Sequence, residues 1–141
     1  MLLVVGSVNR DRIPVFKRTR GNYTPADWDL FTGILEQIPR RYSIAHILAE
    51  VSTLTDLKGP ELDIAREILH KAFSLMEELP IASLDACAST HYRRLGLTDA
   101  AIGLAAKQRG CSVLTNDSDL YLALLEDGAS VLKFDDLRKM L

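Results

Sequence analysis

Cysteine is scarce in this chain, and the little there is stands apart. Cys87 and Cys111 form no CxxC pair, so neither a disulfide framework nor a cysteine-held metal site is suggested. His46, His70 and His91 are isolated from one another, which argues against a histidine zinc site. No apolar run approaches the ~20 residues that cross a bilayer. Met1 to Val5 is too short for the apolar core of a signal peptide. A cytoplasmic protein without a membrane segment is the expectation. Net charge is also small, −2 at pH 7. The chain as a whole therefore offers no electrostatic attraction to nucleic acid.

What is present suffices for one ordinary domain. The 141 residues are 48% apolar and 26% charged, close to globular averages, and no repeat, linker or low-complexity segment interrupts them. A single domain over residues 1–141 is expected. Charge is unevenly spread: Arg10, Arg12, Lys17, Arg18 and Arg20 crowd one stretch, opposed there only by Asp11. Such a cluster contacts phosphates, or it only keeps the surface hydrated.

Helix signals recur along the chain. "TPADWDLFTGILEQI" has an N-cap in Thr24, proline at the first helical position, and Trp28, Phe31, Ile34 and Leu35 on one face. "RRYSIAHILAEVSTLTDL" begins as a short strand near Tyr42 and becomes a helix capped by Ser43, with Ile44, Ile47, Leu48, Val51 and Leu54 as its stripe. Gly59 and Pro60 precede a helix expected over Glu61 to Glu78, burying Ile64, Ile68, Phe73 and Met76, and Pro80 follows. A short strand is expected at Ile81 to Ser83. "LTDAAIGLAAKQRG" reads as a helix capped by Thr98 and closed by Gly110. "CSVLT" reads as a buried strand, Asp119 to Asp127 as a helix closed by Gly128, and "SVLKF" as a last strand. Strands alternating with helices imply an α/β fold with a parallel sheet.

In such sheets ligands bind beyond the carboxyl ends of the strands, near the helix starts that follow. Glu50, Asp99, Asp117 and Asp119 fall at that kind of position. Each also has a purely structural reading. Asp99 complements a helix dipole, worth about 0.3–1 kcal/mol; Asp117 caps a helix, worth about 1 kcal/mol; Glu50 is a solvated helix residue. Pattern alone reaches an α/β domain with an acidic site and stops there.

The order and spacing of "AHILAEVS", "RLGLTDAAI" and "VLTNDSDL" resemble the motif blocks of the PIN-domain family, nucleases that include VapC-type toxins. The similarity runs from about Leu2 to Leu132. The resemblance implies a three-layer α/β/α domain with a central parallel sheet, and a metal-dependent ribonuclease directed at single-stranded RNA. By position, Glu50, Asp99 and Asp117 match the family's second, third and fourth acids, and Asp119 a further acid found in many members. These four would bind Mg²⁺ or Mn²⁺, hard cations that take oxygen ligands. Thr115, Asn116 and Ser118 would contact the substrate phosphate or waters around the metal, and Arg10, Arg12, Lys17, Arg18 and Arg20 would guide the RNA backbone. Implied partners are RNA, a small antitoxin protein and a second copy of the chain.

One family feature is missing. No apolar-Asp-Thr/Ser-Asn pattern occurs near the start, where the family carries its first acid. "LLVVGSVN" resembles the end of the helix that follows that motif, so the sequence is expected to begin after the first strand. In a second register, Leu2 to Val5 is itself that strand and Asp11 the nearest acid. Under either register this chain is expected to cleave RNA weakly or not at all. Two other classes stay open: a PIN-like RNA- or protein-binding module without the full acid set, and an unrelated α/β domain with acidic helix caps.

Overall fold

The computed structural model describes residues 1–140. The chain divides into two compact units, one formed by residues 1–43 and 48–78, the other by residues 44–47 and 79–141.

The first unit opens with helix α1, Leu2–Val8, followed by a 3₁₀ turn at Arg10–Arg12. "LLVVGSV" is thus helical, and the register that made Leu2 to Val5 a strand is corrected. Leu2, Val4, Val5 and Gly6 are all buried, which suits a helix packed against more than one neighbour. Helix α2, Pro25–Gln37, begins as expected. The Thr24 hydroxyl accepts from the Asp27 amide, and the Asp27 carboxylate accepts from the Thr24 amide at 2.6 Å, a reciprocal capping box. Helix α3, Ala45–Leu54, follows strand β1, Tyr42–Ser43, so Ser43 belongs to the strand and does not cap the helix.

Helix α4, Pro60–Ser74, is shorter than expected and presents a different face. Ala65 and Leu69 are buried, with Leu62 and Phe73 beside them, whereas Ile64 is 46% exposed. A stripe at 62, 65, 69 and 73 keeps helical spacing and places small Ala65 against α1, where Val4 and Leu57 complete the cluster. The expected stripe counted large apolar residues and passed over that alanine. Strand β2, Glu77–Glu78, ends the unit, paired parallel to β1 with Tyr42 opposite Glu77. The expected strand at Ile81 to Ser83 is corrected to Glu77–Glu78, where the backbone finds its partner: the Glu77 amide donates to the Arg41 carbonyl at 2.8 Å.

In the second unit, short helices α5, Ser83–Cys87, and α6, Tyr92–Leu95, lead to α7, Leu97–Arg109. Helix α7 starts earlier than expected. Its N-cap is Gly96, at a φ of 89° open chiefly to glycine, so Thr98 lies inside the first turn. Gly110 closes it in the left-handed conformation, φ 66°. The inner face of α7 is nearly all alanine: Ala100, Ala101, Ala105 and Ala106 are buried. Small side chains let α5 pack closely, with Ala86 and Ile44 completing the core.

Strand β3, Val113–Thr115, helix α8, Ser118–Glu126, strand β4, Val131–Lys133, and helix α9, Phe134–Lys139, complete the unit. Strands β3 and β4 run parallel, with Val113 opposite Val131 and Thr115 opposite Lys133. Among the described residues the strands thus form two parallel pairs, β1 with β2 and β3 with β4, in an α/β fold rich in helix. No described helix is long and apolar enough to cross a membrane.

Candidate functional site

The parallel register of β3 and β4 brings Thr115 and Lys133 side by side at the carboxyl ends of both strands. The turn "NDS" leaves from that edge and opens α8. Asp117 is the N-cap: its Oδ1 accepts from the Asp119 amide at 2.8 Å and the Leu120 amide at 3.0 Å. Two backbone donors are satisfied by one oxygen. Asp117 is exposed, and its Oδ2 makes no hydrogen bond among the described residues. Asp119, exposed in the first turn of α8, sits at the positive end of the helix, and its carboxylate has no partner among the described residues.

The polar neighbours expected to touch substrate first build the turn. Thr115 Oγ1 accepts from the Asp117 amide at 3.1 Å. Asn116 Oδ1 accepts from the Asp135 amide at 3.1 Å, tying the turn to the start of α9. Ser118 Oγ accepts from Lys133 Nζ at 2.8 Å, and the same ammonium lies 5.8 Å from the centre of the Tyr121 ring. Sequence reasoning missed Lys133 and Asp135. Their only signal was "KFDD" at the end of the last strand, the place where a parallel partner of β3 would bring its own carboxyl end.

Asp99 stands in the first turn of α7, half-buried, in a groove of 370 Å³ between α7 and α8. Also lining that groove is His91, whose Nε2 is 2.9 Å from Asp127 Oδ2. Glu50 is exposed on the part of α3 that belongs to the first unit, and its carboxylate has no hydrogen bond or ion pair among the described residues. One turn earlier, His46 Nε2 lies 2.9 Å from Ser83 Oγ.

Among the described residues, no three His, Cys, Asp or Glu side chains are gathered so as to grip an ion. The donors nevertheless fit Mg²⁺ or Mn²⁺ in kind. All are carboxylates, Asp117 keeps an open oxygen, and Mg²⁺ commonly takes one or two protein carboxylates while retaining waters.

The basic stretch is heterogeneous. Arg10 is ion-paired with Asp29 and lies 5.3 Å from the centre of the Trp28 ring. Arg12 makes a two-pronged bond to Glu61, at 2.9 and 2.7 Å, which raises the guanidinium pKa further through the hydrogen bond and then through the opposite charge. Lys17, Arg18 and Arg20 are exposed and have no such partner among the described residues. Of the five, the last three keep their charge available.

A family model described as PIN domain matches residues 24–123, a span holding all three acidic motif blocks. No curated protein and no solved structure matches the chain.

Proposed function

The chain belongs to the PIN-domain family, in general nucleases that act on RNA with divalent metal ions, and from that we propose a metal-dependent endoribonuclease of single-stranded RNA. The observation that carries this reading is the Asp117 turn. An acid at the carboxyl end of a parallel strand is fixed by two amides through one oxygen and keeps the other open. A cap needs only the first oxygen. In this reading Asp99 and Asp117 hold Mg²⁺ or Mn²⁺, with Asp119 at the margin.

When bound, the cation supplies an activated water and neutralises charge on the phosphodiester. The chain's own groups do the rest. Asp117 is held in one rotamer by its two amide bonds, which limits the wandering of a ligand oxygen. The amino end of α8, with Ser118 and the Lys133 ammonium on it, favours a phosphate oxygen there. Lys17, Arg18 and Arg20 attract the polyanion, offsetting the repulsion that exposed acids exert on it. Cleavage is expected to be slow, since no three ligating side chains are pre-gathered among the described residues and a less constrained cation orients water and phosphate less well.

A toxin restrained by a small antitoxin and an RNA-processing enzyme both follow from this chemistry. Growth arrest on expression, relieved by a short neighbouring reading frame, separates the first from the second. One observation favours a second reading, a non-catalytic RNA-binding module: no three metal-ligating side chains are pre-gathered among the described residues. The test is a labelled RNA incubated single-stranded and as a duplex, with Mg²⁺, Mn²⁺ or EDTA. The nuclease reading expects slow loss of the single strand with metal only. Intact RNA bound at equilibrium with either metal selects the module.

A further inference from the structure

In the first unit, a groove of 440 Å³ lies where the basic stretch meets the residues just before α4. Its rim carries Lys17 and Arg18 from one segment and Lys58 from the other, a residue outside the basic stretch that the sequence reading singled out. None of the three has a hydrogen bond or ion pair among the described residues. Arg12 and Glu61 also line the groove but neutralise each other, which leaves only Asp56 against the three cations. Beside them the groove offers apolar surface. Val15 is 61% exposed and Phe16 half-buried above the core residue Leu57. The segment is anchored: Ile13 and Thr19 are fully buried, and the Thr19 hydroxyl donates to the Ile13 carbonyl at 2.7 Å.

Unpaired cations around exposed apolar and aromatic surface suit a ligand that has both phosphates and accessible bases. We propose that this groove binds single-stranded RNA, with Lys17, Arg18 and Lys58 on successive backbone phosphates and a base against Val15 and Phe16. The assignment rests on the reading of the chain as an RNA-directed protein and adds a binding site distinct from the acids. A duplex hides its bases and gains only the phosphate contacts. A fixed anchor beneath the groove means little ordering entropy opposes binding.

The test uses the full chain in EDTA, so that no cleavage is needed, with a fluorescent oligouridine of about 12 nucleotides, within the site sizes of single-strand binders. Affinity is measured against salt for the unsubstituted protein, for Lys17→Ala/Arg18→Ala/Lys58→Ala, and for Arg93→Ala, which does not line the groove, as a control. Thermal melting confirms that each variant folds. Losing three phosphate contacts, at about 0.7 counterions per phosphate on a single strand, is expected to flatten the log–log salt slope by about 2 and weaken binding roughly 100-fold near 0.1 M salt. Arg93→Ala is expected to change neither. Oligomers carrying 4-thiouridine are expected to crosslink to the peptide containing Val15 and Phe16. An unchanged slope in the triple variant, equal binding of a duplex, or full displacement by an acidic polypeptide at matched charge overturns the proposal. Binding of this kind without any metal-dependent cleavage supports the groove and removes the nuclease reading. Cleavage together with an unaltered triple-variant affinity removes the groove and leaves the nuclease.

Discussion

Gly6→Ala is a substitution whose sign separates two physical effects. Glycine inside a helix normally costs about 0.8–1.0 kcal/mol relative to alanine, so the change alone would stabilise α1. Here the new Cβ would lie 2.6 Å from Trp28 Cγ and 2.5 Å from its Nε1, closer than carbon atoms in contact ever approach. The indole must move. Overpacking of this kind costs about 1–3 kcal/mol. Moving the ring also strains the bond from Trp28 Nε1 to the Leu3 carbonyl, 3.3 Å in the native packing, worth roughly 0.5–1.5 kcal/mol. The net expectation is a loss of about 2 kcal/mol, or roughly 5–8 °C in Tm for a chain of this size. Because Trp28 is the sole tryptophan, urea unfolding followed by its fluorescence reports stability and local environment together. A variant more stable than the native protein, with unchanged emission, would refute the close packing of α1 on α2.

Three more substitutions probe other links. Asp117→Ala is expected to cost about 1 kcal/mol by uncapping α8, whereas Asp117→Asn keeps the cap and loses only Mn²⁺ binding, as read by melting and calorimetry; equal Mn²⁺ affinity in Asp117→Asn would leave the residue a cap alone. Asp27→Ala removes the carboxylate that accepts from the Thr24 amide at 2.6 Å and its hydroxyl at 2.9 Å, and is expected to cost about 1–2 kcal/mol in urea unfolding; a loss under about 0.5 kcal/mol would mean that the box contributes little. Ala101→Val enlarges a fully buried residue on the face of α7 that packs against α5, with an expected cost of about 1–3 kcal/mol; native Tm would show slack in that core.

Local chemistry was the legible part of the fold. Thr24 and Pro25 announce α2, Gly110 ends α7, and the short β-branched run at 113–115 is a strand, because each depends on a few neighbouring residues. What escaped depends on partners distant in sequence. Glu77–Glu78 has no strand propensity and is a strand only because β1 lies beside it. The inner face of α4 turns on Ala65, whose value is its small size against α1. The same holds at the candidate sites. The acids of the Asp117 turn can be read from "VLTNDSDL", yet nothing local tells that Arg12 is taken up by Glu61 while Lys17 and Arg18 stay available. Lys58 joins them only through the fold.

Asp99 and Asp117 are proposed to hold the metal ion on which RNA cleavage depends. The most direct test is the rate of single-stranded RNA cleavage with Mn²⁺, in EDTA, and by Asp99→Asn and Asp117→Asn proteins whose melting is native. The expected result is slow cleavage that vanishes in EDTA and falls about 100-fold or more in each variant, about 2.7 kcal/mol of lost transition-state stabilisation. Cleavage that persists in EDTA, or that proceeds at the native rate in both variants, would contradict it.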